Sequence, residues 1–96
     1  MKEQKVQELV NTLQTAMNFH HKNFGNSLVQ TVHEFGEITF ITSLHEMVNR
    51  CKFLIHDYTD DTDEKLLSTL LEIATVSMIA YNWLEEAVHG IPTEGL

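Results

Sequence analysis

The sequence predicts an all-α fold, an antiparallel helical bundle of three long helices and one short one. Three observations carry this prediction. Apolar residues recur with a period near 3.6, and no strand-like alternation is sustained. One proline and four glycines in 96 residues leave few interruptions. The segment from Ile73 to Leu84 is apolar nearly all round, as in a helix that buries more than one face.

The first helix is expected from about Lys2 to about His20. Val6, Leu9, Val10, Leu13, Ala16 and Met17 form its core stripe, and Glu3, Gln7, Asn11 and Gln14 face water. Asn23-Phe24-Gly25-Asn26 reads as a turn. Ser27 with Gln30 three residues later matches a capping box, so a short helix should follow from about Leu28 to Glu34, burying Leu28, Val32 and Phe35. Gly36 either breaks that helix or marks a close helix contact.

The third helix is expected from about Glu37 to about His56. Ile38, Ile41, Leu44, Met47, Val48, Cys51 and Ile55 make its apolar face, and His45, Asn49, Lys52 and His56 line up on another. Asp57 to Asp63 is an acidic loop, in which Asp61 or Thr62 can cap the next helix. That helix should run from about Asp63 to about His89. Gly90 suits its left-handed end, Ile91 offers the accompanying apolar contact and Pro92 stops it. Thr93 to Leu96 should fray.

Ninety-six residues make one domain, spanning 1–96, and a chain this short gains stability by associating. A homo-oligomer is expected, its interface using the last long helix with Tyr81 and Trp83. The formal net charge is -8 and the six basic residues do not cluster. That disfavours duplex nucleic acid, whose affinity comes from phosphate neutralisation, and anionic membranes. No apolar stretch reads as the roughly 20 residues of a membrane span, and the start lacks a signal-peptide core. The expected compartment is the cytoplasm of a bacterium, or of an infected one. Cys51, the single cysteine, excludes an intrachain disulfide and reads as a buried structural thiol.

Two groups of residues can carry chemistry. Glu34, Glu37, Glu46, Glu64 and Glu72 fall on or beside the later helices, and carboxylates facing each other across a bundle can hold Mg²⁺. The plain alternative is a solvated acidic face with pairs such as Glu46–Arg50. Phe24-Gly25-Asn26-Ser27 precedes a helix start, where free N–H groups receive anions. A ligand there would also meet His45, Asn49, Arg50, Lys52 and His56 on the third helix, with Phe24 stacking on a base. His45-Glu46-x-x-Asn49 lacks the second histidine of a zinc protease. The acidic loop lacks the glycine and distal glutamate of a Ca²⁺-binding loop.

The order Phe24-Gly25-Asn26-Ser27, Glu34-Phe35-Gly36, Glu46-x-x-Asn49-Arg50, Glu64-x-x-x-Ser68-x-x-x-Glu72 resembles a family of small phage proteins linked to nucleotide modification. That family in turn looks like an offshoot of the MazG-type all-α nucleoside triphosphate pyrophosphohydrolases. The likeness runs from about Lys22 to Glu86. It implies a metal site at Glu46, Glu64 and Glu72, phosphate held by Arg50 or Lys52, and water oriented by Glu34 or Glu37. Several positions depart from the pattern. Ser68 replaces an aspartate, Thr75 and Val76 replace an asparagine and a tyrosine, and Ser43 and Met47 replace basic residues. The expectation is a MazG-like scaffold without catalysis that binds a nucleotide, a nucleotide-derived signal or a host protein, with an anti-defence role. The alternatives are a Mg²⁺-dependent triphosphate pyrophosphohydrolase and a protein-interaction module without a small ligand.

Overall fold

A computed structural model describes residues 1–90. They form four helices and no strand: α1 (Glu3–Phe24), α2 (Ser27–Phe35), α3 (Ile38–His56) and α4 (Thr62–His89). The expected Ile91 contact, the Pro92 stop and the fraying of Thr93 to Leu96 lie outside the described residues.

The first helix runs past the predicted end at His20 and absorbs half of the predicted turn. Nothing in His21-Lys22-Asn23-Phe24 breaks a helix. The Asn23 side-chain amide donates to the Phe19 carbonyl at 2.8 Å, and the His20 and Phe24 rings meet with centroids 5.1 Å apart. The chain turns only at Gly25, where φ is 56°, a conformation costly for residues with a Cβ.

The predicted capping box does not form. Ser27 is the first residue of α2 rather than its cap, and no side chain caps that helix. The Asn26 carbonyl accepts from the Gln30 N–H at 2.8 Å, and the Ser27 carbonyl accepts from the Thr31 hydroxyl at 2.9 Å. Gly36, with φ of 88° and no atom within 4 Å of where a Cβ would stand, ends α2 by its backbone freedom. It is a breaker, not a close contact.

Helix α4 folds back on α3 through a short loop. The Phe40 ring near the start of α3 meets Trp83 near the end of α4 at 6.0 Å, so the two helices run antiparallel. His33 of α2 reaches the same indole at 6.1 Å. The α3–α4 contact is the most extensive; α1 rests on α4, and α2 on α3. Trp83 is thus half-buried within its own chain.

The loop before α4 is held from within. Thr62 is buried, and its hydroxyl accepts the Thr59 N–H at 2.8 Å. Asp61 caps no helix N–H. It takes the Thr59 hydroxyl and pairs with Lys65 at 3.1 Å. At the far end, Gly90 adopts the left-handed conformation and its N–H returns to the Glu86 carbonyl.

The burial pattern differs most from expectation. Val32, Phe40 and Met47 are the only buried apolar side chains among the described residues. Helix α1 buries no residue fully, and Val6, Leu9 and Val10 of its predicted core stripe stay open. Phe35 is 66% exposed, Ile38, Ile41, Val48 and Ile55 are also exposed, and Cys51 is only half-buried.

Helix α4 turns threonine inward. Thr62, Thr69 and Thr75 are its buried residues, while Leu67, Leu70, Tyr81, Leu84 and Val88 face outward. Inward threonine is tolerated because Thr69 and Thr75 donate to the carbonyls of Lys65 and Leu71, one turn back. With those bonds made, no buried side-chain polar atom is left without a partner among the described residues. By length and composition alone, α4 is long and apolar enough to cross a membrane. Its most apolar 18-residue window has a mean hydropathy of 1.2 and is 17% buried.

Candidate functional site

A cavity of about 1020 Å³ opens among all four helices. Helix α1 contributes Thr12, Thr15, Ala16, Phe19, His20 and Phe24, on a face left open because α1 leans chiefly on α4. From α2 come Ser27, Leu28 and Thr31; from α3, Thr39 and Ser43. Helix α4 supplies Ser68, Leu71, Glu72, Thr75 and Val76. Thr39 and Ser43 are one turn apart on α3, and Ser68, Glu72 and Thr75 follow one another along one face of α4.

The wall is rich in hydroxyls and poor in charge. Thr12, Thr15, Thr31 and Thr75 give their protons to helix carbonyls one turn back, so toward the cavity they offer lone pairs. The side chains of Ser27, Thr39, Ser43 and Ser68 make no hydrogen bond to the described residues, leaving both donor and acceptor for a guest. Among the described residues Glu72 is the only carboxylate in the wall, and no lysine or arginine lines it. Glu72 Oε2 accepts from Arg50 Nη1 at 3.3 Å, and both side chains are about half exposed. Arg50 therefore pairs across the helices rather than with Glu46 one turn away. Phe19 and Phe24 stand in the wall with their side chains largely exposed.

A second cavity of about 500 Å³ lies at the α3–α4 loop end. Glu46, Asn49, Arg50 and Phe53 line it, with Thr62 and Lys65 of α4 opposite. The residues expected to form one ligand site are thus divided. Phe24 and Ser27 belong to the large cavity, and Asn49 and Arg50 to the small one. Gly25, Asn26, His45, Lys52 and His56 line neither.

The expected metal set is divided as well. Glu72 lies in the first cavity, Glu46 in the second, and Glu64 in neither. Among the described residues no three of His, Cys, Asp and Glu are placed to hold a metal ion. With Glu72 already paired to a guanidinium and a serine at position 68, this donor set does not fit Mg²⁺, which wants several carboxylate or phosphate oxygens. Glu34 and Glu37 line neither cavity.

Thr12, Thr15, Phe19, Thr31 and Thr39 also face the cavity, though nothing in the sequence reading singled them out. A signal existed: hydroxyl residues recur at helical spacing on α1, α3 and α4. Read locally, such threonines look like solvent-facing positions. Only the packing of α1 against α4 turns their faces toward one another.

No family model matches this chain, and no curated protein or solved structure matches it.

Proposed function

We propose that the chain is a non-catalytic, MazG-like binding protein, active as an oligomer, that takes a nucleotide-derived small molecule into the large cavity. One observation carries this reading. Ser43, Ser68, Glu72, Thr75 and Val76, scattered along the sequence at positions where the resembling enzymes carry polar or charged groups, line a single cavity with Phe24 and Ser27. Small and apolar side chains there enlarge a pocket while removing the charges that phosphoryl chemistry needs. An infected bacterial cytoplasm and an anti-defence role follow from the resemblance and belong to the same proposal.

The oligomer has its own support. The chain exposes 7599 Å², against about 5,600 Å² for a compact monomer of its mass. Its radius of gyration is 15.2 Å, where about 12.5 Å is typical for its length. The excess area, about 2,000 Å², is of the size that obligate interfaces cover. The exposed apolar side chains sit on α1, α3 and α4 alike. A second copy would cover the outer face of α4 without any membrane.

Native mass spectrometry of the purified protein tests both parts. The expected spectrum is a multimer carrying a small-molecule adduct. A bare monomer would overturn the proposal. Incubation with nucleoside triphosphates and Mg²⁺ or Mn²⁺ should release no pyrophosphate. Turnover at ordinary enzyme rates of about 1 to 10³ per second would restore the pyrophosphohydrolase reading, with Glu46, Glu64 and Glu72 drawn together by the metal.

A further inference from the structure

We infer that the large cavity selects an uncharged, flat heterocycle bearing N–H and O–H donors, of nucleoside size, and discriminates against its phosphorylated forms. The inference rests on the binding reading above and narrows it to one chemical class.

Shape comes first. About 1020 Å³ is at the upper end of the range of about 300–1,000 Å³ seen for small-molecule sites. Phe19 and Phe24 place two aromatic rings in the α1 wall, and an aromatic ring offers a stacking face to any planar heterocycle. Leu28, Leu71 and Val76 add apolar wall on the other helices.

Hydrogen bonding sets the guest's chemistry. The back-bonded threonines present acceptors only. Glu72 Oε1, the oxygen that does not meet Arg50, is a further acceptor and carries charge, which makes it the strongest in the wall. A guest rich in N–H and O–H donors, such as a ribose diol or an exocyclic amine, matches that set. Ser27, Thr39, Ser43 and Ser68 can answer its carbonyl or ring-nitrogen acceptors.

Charge excludes the rest. A phosphate chain requires cations, a metal or a cluster of free N–H groups; among the described residues no lysine or arginine lines the wall, and the uncapped start of α2 at Ser27 and Leu28 offers N–H groups without a compensating cation. Each added phosphate would instead approach the Glu72 carboxylate inside a chain of net charge -8. Removing part of the solvent strengthens that repulsion.

The test is calorimetric titration of the full-length protein with adenosine, guanosine, cytidine and thymidine, each beside its 5′-triphosphate without metal. At least one nucleoside is expected to bind, with its triphosphate at least about tenfold weaker. Ser68→Leu, a substitution at an exposed α4 position that projects into the cavity, should abolish that binding while leaving the far-UV circular dichroism unchanged. Glu72→Gln should narrow the nucleoside-to-triphosphate ratio. A triphosphate that binds as tightly as its nucleoside overturns the inference but leaves the small-molecule reading standing. Failure of all eight probes also overturns it. Whether the broader reading falls with it is decided by native mass spectrometry. An adduct of any other chemistry preserves that reading, and a multimer without adduct removes it.

Discussion

At the scale of single residues, hydroxyl groups do much of the work usually assigned to apolar or charged ones. Thr62 is almost wholly enclosed and holds the turn before α4, while its neighbour Asp61 gathers the Thr59 hydroxyl and Lys65. The Thr59 hydrogen bond first, and then Lys65, holds the Asp61 carboxyl below its ordinary value of 3.8. A carboxyl lowered on folding adds stability that is complete above its unfolded pKa and is lost as pH falls through the folded one. Asp61→Asn should therefore unfold at lower urea than the parent at pH 6, and the difference should shrink below about pH 3.8. Urea titrations at the two pH values measure it, and an unchanged difference at low pH would contradict the assignment. The Arg50–Glu72 pair is half in water and belongs with surface pairs worth about 0–1 kcal/mol. Its importance is positional, since it occupies one of the two oxygens of the carboxylate that lines the cavity.

At the scale of elements, the helices were legible and their faces were not. Periodicity and the glycines at positions 25, 36 and 90 place all four helices within a few residues of where they lie. The exception is the end of α1, where Phe24 stays helical because the first residue with a reason to leave is Gly25. Faces failed for a physical reason: a helix that is apolar nearly all round carries no information about which side its own chain covers. For α4 the chain covers threonines, leaving Leu67, Tyr81 and Val88 outside. The candidate site was legible in part for the same cause. Position 24, Ser27 and the α4 serine–glutamate–threonine face were visible, but the α1 wall depends on a packing that no local pattern encodes. Gly36 gives a direct test at this scale. With open space around it, Gly36→Ala meets no clash but must hold φ 88° and ψ -179°, a region essentially confined to glycine, which should lower stability by about 1–3 kcal/mol. Chemical denaturation with unchanged m-value is the measurement. A neutral result would mean that the α2–α3 junction relaxes to negative φ.

At the scale of the molecule, the described residues bury only three apolar side chains fully, which is the ground on which an assembly is proposed. Tyr81 projects outward at 63% exposure, and among the described residues its ring meets no other aromatic. Under the proposed assembly, Tyr81→Glu should weaken association by at least about tenfold, because it would seat a charge in a covered apolar surface. Trp83 is the poorer probe, since its indole packs against Phe40 and His33 and its loss would loosen the protomer itself. Sedimentation equilibrium of the Tyr81 variant, beside a parent whose melting temperature rises with protein concentration, distinguishes the two. A parent that melts at the same temperature over a hundredfold dilution would contradict an obligate assembly.

The thin anchorage of α1 has a consequence for hydrogen exchange. A helix that buries no residue fully can open without unfolding the rest, so its amides should exchange at a lower free-energy cost than those of the α3–α4 hairpin. That same helix is one wall of the large cavity. A guest that bridges the wall to α4 must therefore slow α1 exchange by the same factor by which a closed α1 favours the guest. Amide protection from Thr12 to Phe24, followed as guest is added, would read the affinity of the cavity from the helix that encloses it.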